Sequence, residues 1–119
     1  MDRETVIAKL EQYQVEFEDA MRSLVQYSVA VPTTKDILES VRARSIARGA
    51  EACALDGKNA EERAWKTTLW LENDGEYRRA QNEMRDMECG VEHARANVEI
   101  AKMGVRVMET VAKLLVAEP

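Results

Sequence analysis

The residues with the clearest capacity for chemistry are Cys89 and His93, a thiol and the only imidazole in the chain. They lie four residues apart, so in a helix both side chains would project from one face, as metal ligands can. A tetrahedral zinc site would need further ligands from elsewhere in the chain. The Glu-x-x-His spacing of di-iron bundles is missing, because Gly90 occupies the glutamate position. We therefore expect no metal and no cofactor.

Other catalytic constellations are missing from the sequence. It contains no phosphate-binding glycine loop, no serine elbow and no nucleophile with an obvious base beside it. The many glutamates could supply a carboxylate pair for acid-base chemistry, but regular helical surfaces account for all of them. The sequence therefore predicts a protein that is not an enzyme.

Three arginines, Arg42, Arg44 and Arg48, form a basic cluster within seven residues. Such a cluster could contact the phosphate backbone of DNA. It could equally be a solvated face or one paired with carboxylates. The net charge of -5 favours the second interpretation without excluding a local basic patch.

Apolar residues at seven-residue spacing dominate the C-terminal part of the chain. They form two parallel lines without a charged residue, which predicts one long helix over residues 76–116 with a packed seam. At helical rise this helix would span roughly 60 Å, more than the diameter of a compact globule of this size. The first line comprises Tyr77, Met84, Val91, Val98, Val105 and Ala112, and the second comprises Ala80, Met87, Ala94, Ala101, Met108 and Leu115.

The seam residues are small, so the seam becomes stable only if a second helix approaches closely. Gly90 and Gly104, fourteen residues apart beside the first line, suggest that a helix passes over that flank. Because the predicted helix is longer than the globule, either the monomer is a rod-shaped bundle or a second chain covers part of the seam. We expect self-association, most simply as a homodimer. The residues predicted to mediate this self-association are Met84, Met87, Val91, Ala94, Val98, Ala101, Val105 and Met108.

The remaining sequence predicts three further helices, over residues 3–27, 34–55 and 60–72. Pro32 disfavours helical geometry before it and predicts a break over 29–34. Gly57 suits the left-handed position that ends a helix, while Asn59 and Glu62 suit a capping box. We therefore predict an all-α fold in a single domain over 1–119: an elongated antiparallel helical bundle or coiled coil with a long C-terminal helix.

The two tryptophans in the short third helix are predicted to differ. Trp65 shares a face with Leu69 and approaches Tyr77 across the next turn, so we interpret it as core. Trp70 has polar helical neighbours and is a candidate anchor for a protein partner, since tryptophan is enriched among residues that dominate binding energy. The alternative is that another helix of the same bundle covers Trp70.

Composition and cysteine usage indicate where the protein works. Two cysteines without short spacing, and a start without an apolar signal segment, fit reduced thiols in the cytoplasm. No apolar run approaches the length of a membrane span, so we expect no membrane association.

The sequence from Asp56 onward resembles a group of small helical proteins from bacteriophages and prophages. The resemblance lies in the GKNAEER turn of residues 57–63, the acidic turn around Asp74, the following Tyr77-Arg78-Arg79, and the long C-terminal helix. The group has no settled activity to carry over, and its members often look like parts of replication and recombination modules. Our first hypothesis is a non-enzymatic interaction protein in the host cytoplasm, an accessory factor or inhibitor that binds a host or phage protein. The alternative is a DNA-binding accessory factor of a replication or recombination module.

Overall fold

The computed structural model describes residues 2–117 and places them in three α-helices: α1 (Arg3–Glu51), α2 (Ala60–Glu72) and α3 (Gly75–Ala117). The all-α class and the long C-terminal helix are confirmed. α2 matches the predicted 60–72, and α3 extends one residue beyond the prediction at each end. The chain divides into two compact units, Met1–Ser28 with Cys89–Pro119, and Val29–Glu88. The single-domain organisation stays a prediction.

The predicted break between helices 3–27 and 34–55 is wrong, because α1 continues through Pro32. The physical reason is that the inward-facing residues keep one heptad spacing on both sides of the proline, so interrupting the helix would lose a continuous apolar face. Inward positions that are buried or half-buried are Leu10, Tyr13, Phe17, Ala20, Leu24, Val31, Thr34, Leu38, Val41 and Ser45.

Pro32 is tolerated because it lies on the exposed face of α1. Its nitrogen carries no hydrogen, so the carbonyl of Ser28 loses the usual helical donor, and this carbonyl belongs to an exposed residue that water can reach. Nearby, the Thr34 hydroxyl donates a hydrogen bond to the Ala30 carbonyl at 2.9 Å. The proline therefore weakens the helix locally without ending it.

α1 ends at Glu51 rather than at residue 55, and the residue that ends it is Cys53 rather than Gly57. Cys53 adopts the left-handed conformation, with φ of 58°. The Cys53 N–H donates to the Ala50 carbonyl at 3.1 Å, and the next N–H, of Ala54, donates to the Gly49 carbonyl at 3.0 Å. These two bonds form a Schellman motif, which satisfies the last carbonyls of the helix.

In the first unit, the N-terminal part of α1 packs antiparallel on the C-terminal part of α3. A Cβ atom at position 104 would lie 2.5 Å from the Tyr13 ring, and one at position 90 would lie 2.5 Å from the Tyr27 ring. Gly90 and Gly104 therefore have no side chain because a tyrosine occupies that space, and the prediction that a helix passes over this flank is confirmed. The buried core of this unit comprises Val6, Ala20, Ala94, Val98, Ala101 and Met108.

All twelve seam positions of α3 are buried or half-buried in the single chain. The eight residues assigned to self-association are thus buried or half-buried against their own chain, and their role in self-association stays a prediction. Ala94, Ala101 and Met108, for example, are only 2%, 3% and 7% exposed.

The second unit contains the C-terminal part of α1, the whole of α2 and the start of α3. Its buried residues come from all three helices: Val41 and Ser45 from α1, Leu71 from α2 and Ala80 from α3. Gly49 of α1 is also buried, against Trp70 of α2. The small side chains of α1 thus allow α2 to pack closely on it.

We expect Gly104→Ala to destabilise the protein, although alanine favours a helix over glycine by about 1 kcal/mol. The new methyl group would overlap the Tyr13 ring down to its Cγ atom, at 2.8 Å, so the ring cannot swing clear. Overpacking of this kind costs about 1 to 3 kcal/mol. Urea unfolding would measure the loss. Gly75→Ala is the control, because nothing lies within 4 Å of a Cβ there. A Gly104→Ala protein about 1 kcal/mol more stable than wild type, the gain expected from helix propensity alone, would contradict the close approach.

We expect Pro32→Ala to stabilise the protein, because an N–H at position 32 would restore the bond to the Ser28 carbonyl and remove the ring from the helix interior. A proline in a helix interior costs about 3 kcal/mol relative to alanine, so a gain of at least about 1 kcal/mol is expected. Thermal unfolding followed by circular dichroism measures it. An unchanged or lower melting temperature would show that α1 is not continuous here.

Candidate protein-binding site

The turn before α2 is held by the capping interactions predicted from Asn59 and Glu62. Asn59 has extended backbone geometry, and its side-chain oxygen accepts the Glu62 N–H at 2.8 Å. The Glu62 carboxylate in turn accepts the backbone N–H of Lys58 at 3.0 Å. This bond, followed by the contact with the Lys66 side chain, lowers the pKa of Glu62. The start of α2 is therefore fixed locally, by residues of the GKNAEER turn.

Trp70 packs against α1 of the same chain. Its indole N–H donates to the Ser45 carbonyl at 2.8 Å, and its ring fills the space where a Cβ of Gly49 would stand, at 3.0 Å. The packing of Trp70 on α1 corresponds to the alternative expected from the sequence, in which another helix of the same chain covers this side chain. The ring remains half-exposed, and its role as a partner-binding anchor stays a prediction.

Trp65 is exposed, so its interpretation as core is wrong. Its side chain is 62% exposed and that of Leu69, one helical turn later, is 37% exposed. Leu71, on the opposite side of α2, is the residue that turns inward, at 7% exposed. Trp65 and Leu69 do share a face, as the spacing predicts, but this face points away from the core.

Exposed and half-buried residues of α2 and its C-cap lie around one cleft. We call this set of residues the α2 surface and define it as Trp65, Lys66, Leu69, Trp70 and Asn73. Four of these residues, together with Ala54, line a shallow cleft of about 260 Å³, and Trp65 flanks Leu69 at its edge. Two indole rings and a leucine beside a cleft are the kind of surface that anchors protein partners.

One sequence signal could have distinguished the two tryptophans. Ser45 and Gly49 lie four residues apart on the inward face of α1. Their side chains are smaller than those of the apolar residues before them on this face, so they leave a gap. A gap of this kind requires a large side chain from the opposing helix. Trp70 fills this gap, and because Trp65 lies five residues away on α2, the same docking turns it outward.

The arginine cluster is largely ion-paired within the second unit. Arg44 contacts the Glu76 carboxylate at 3.3 Å, and Arg48 contacts Asp74 at 2.9 Å and Glu76 at 3.7 Å. Arg42 is exposed and forms no ion pair with any residue in the range 2–117. These pairs reduce the positive charge that the cluster can offer to a phosphate backbone.

Asp74 joins the arginine cluster to the start of α3. One carboxylate oxygen accepts the N–H groups of Glu76 at 3.0 Å and Tyr77 at 3.4 Å, while the other accepts from Arg48 at 2.9 Å. Asp74 therefore caps α3 and pairs with α1 at once.

These surroundings lower the pKa of Asp74. The nearby Ser45 hydroxyl is the largest influence, followed by the Tyr77 N–H, the Arg48 side chain and the Glu76 N–H, while burial acts in the opposite direction. The Ser45 oxygen does not reach hydrogen-bonding geometry with any group in the described chain. We therefore attribute the lowered pKa of Asp74 to the hydrogen bonds that its carboxylate accepts from Arg48 and from the N–H groups of Glu76 and Tyr77.

The two cysteines are free and exposed, and His93 is exposed near Cys89 on α3. Within residues 2–117, no group of three or more histidine, cysteine or carboxylate side chains is arranged to hold a metal ion. In the same range, none of the helices combines the length and apolar character that crossing a membrane would require.

Comparison with known proteins gives no match: no family model, no curated protein and no solved structure is similar to this chain. The α2 surface is therefore interpreted from its own geometry.

We expect Asp74→Ala to lower the free energy of unfolding by about 1 to 2 kcal/mol at pH 7, the usual cost of losing a helix cap. Asp74→Asn should lose less, because asparagine also caps helices and only the charge opposite Arg48 is removed. Urea unfolding of the three proteins measures both effects. Equal stability of the alanine variant and the wild type would contradict the cap.

The contribution of the Asp74 charge should also depend on pH. The folded-state pKa lies below the unfolded value of about 3.9, so the charge stabilises the fold above that value, and the effect is lost as pH falls through the folded-state pKa. The difference in stability between wild type and Asp74→Asn should therefore stay constant from neutral pH to about pH 5 and shrink in more acidic solution. A difference that grows on acidification would contradict the lowered pKa.

Proposed function

We propose that this protein acts without catalysis, by binding another protein through the α2 surface, as an accessory factor or inhibitor. The observation that carries the proposal is the 62% exposure of Trp65 on a helix whose ends are both fixed. Large aromatic side chains are costly to leave in water and are enriched among the residues that dominate binding energy.

The architecture of the α2 surface supports this proposal. α2 is held to α1 by the bond from Trp70 to Ser45, and the turn that follows it is held by the Arg48–Asp74 pair. A partner would thus meet a surface that is already ordered, so little conformational entropy would be lost on binding. The adjoining cleft could accept one apolar side chain of the partner.

The resemblance of residues 57–63 and the following helices to phage and prophage proteins makes a host or phage protein the expected partner. The host cytoplasm is the corresponding place of action, and the two free thiols fit a reducing compartment. DNA binding was the alternative, but the pairing of Arg44 and Arg48 with carboxylates does not favour it.

We expect Trp65→Ala to reduce recovery of the partner by about tenfold or more, since removing a binding hot spot costs about 2 kcal/mol or more. The protein would be used as bait in lysates of infected or lysogenic cells, with quantitative mass spectrometry of what is retained. The variant should unfold at nearly the wild-type temperature, because substitutions of exposed residues change stability little.

Two control baits make the experiment specific. Trp65→Phe keeps an aromatic ring and should retain most of the binding, while Val15→Ala removes an apolar group that is 57% exposed on α1 and should retain all of it. If every captured protein were recovered equally with Trp65→Ala and wild type, the α2 surface would not be the binding site.

A further inference from the structure

A second apolar line runs along the outside of α3. Its four large side chains are spaced by three, four and seven residues, so they project from one side of the helix. All of them are more than half exposed: Ile100 65%, Met103 62%, Val107 55% and Leu114 63%. We call this line the outer stripe.

The outer stripe lies opposite the seam. Ile100 and Met103 alternate along the helix with the buried seam residues Val98 and Ala101, and in a heptad they occupy the positions farthest from the α1 contact. Such positions normally carry polar residues, since nothing within the pair of helices covers them. α1 therefore cannot cover the stripe while it packs on the seam.

Charged residues border the outer stripe in an ordered sequence. Four of them recur every seven residues, and their sign changes halfway: Glu92, Glu99, Arg106 and Lys113. The last three stand directly before Ile100, Val107 and Leu114, and Glu92 stands before the exposed His93. All four are exposed, and none forms an ion pair with another residue in the range 2–117. At this heptad position the border is thus acidic at 92 and 99 and basic at 106 and 113.

We propose that the outer stripe binds the same stripe of a second copy of this chain, with the two α3 helices antiparallel. In that orientation Glu99 faces Arg106 of the partner subunit and Glu92 faces Lys113 of the partner subunit. We call Glu99 with Arg106 the inner pair and Glu92 with Lys113 the outer pair. One register aligns both pairs, because Glu92 lies seven residues before Glu99 and Lys113 lies seven residues after Arg106. Two-fold symmetry repeats the two pairs, so four interchain ion pairs result.

The same register places apolar residues at the centre of the contact. The two-fold axis passes near Met103, so Ile100 packs beside Met103 of the partner subunit, and Ala96 packs beside Val107 of the partner subunit. A parallel arrangement would instead place Glu99 near Gly104 of the partner subunit and Arg106 near Val111 of the partner subunit, so neither charge would find an opposite one. The distribution of charge therefore selects a second, antiparallel copy over a parallel one.

This inference goes beyond the partner binding proposed above and does not depend on it, because the outer stripe and the α2 surface share no residue. It also assigns self-association to a different face of α3 from the seam. The seam is buried or half-buried within one chain, whereas the residues of the outer stripe are more than half exposed.

The test measures the mass of purified protein by sedimentation equilibrium at several concentrations. We expect wild type to approach twice the chain mass of 13.5 kDa at roughly 100 µM, as a contact of modest area would, and to dissociate on dilution. Glu99→Arg and Arg106→Glu should each be monomeric under the same conditions. An equimolar mixture of these two variants should form dimers again, because every inner pair then joins opposite charges.

Two further variants separate this surface from any other. Met103→Glu should abolish dimers, while Val15→Glu, at a comparably exposed apolar position on α1, should leave them intact. Circular dichroism checks that each variant keeps the wild-type helix content and melting temperature. Wild type that stays monomeric, dimers that survive Met103→Glu, or a mixture of charge variants that remains monomeric would each overturn the proposal.

Discussion

The packing of α1 on α3 in the first unit depends on matched side-chain sizes along one flank. Tyr13 and Tyr27 are fourteen residues apart, as are Gly104 and Gly90, and each ring occupies the space of a missing Cβ. Because the two spacings are equal, both contacts form in a single antiparallel register. A shift along the helix would drive a tyrosine ring into a residue that has a side chain. The pairs thus determine which face of α3 turns inward and which is left in water.

A similar constraint orients α2 in the second unit. Trp70 fits over Gly49 and its indole N–H donates to the Ser45 carbonyl, so α2 cannot rotate about its axis without breaking this hydrogen bond and losing the contact with Gly49. The exposure of Trp65 follows from this docking. A large apolar side chain is held in water because another one, five residues later, is held against α1. The surface proposed to bind a partner is in this sense a product of the packing beneath it.

The sequence predicts the regular parts of this fold well because their causes are local or periodic. Heptad spacing predicted α3 and its inward face, and the Asn59 cap predicted where α2 begins. The continuation of α1 through Pro32 differs from the predicted break. Proline disfavours helical geometry in the residue before it, but the apolar stripe of α1 continues on both sides of Pro32. Trp65 is not predicted correctly because the orientation of α2 depends on Ser45 and Gly49, which belong to a different helix. Binding surfaces are harder to predict still, since their complement lies on another molecule.

The contrasting environments of the two tryptophans give the protein a pair of intrinsic fluorescent reporters. Trp65 lies largely in water, whereas the Trp70 indole is bonded to the α1 backbone and partly shielded. With phenylalanine at position 65, the remaining emission comes from Trp70 and shifts to longer wavelength when α2 leaves α1. With phenylalanine at position 70, the remaining emission comes from Trp65 and shifts to shorter wavelength when another molecule covers it. Undocking of α2 and capture of a ligand can therefore be followed separately, without attaching a dye.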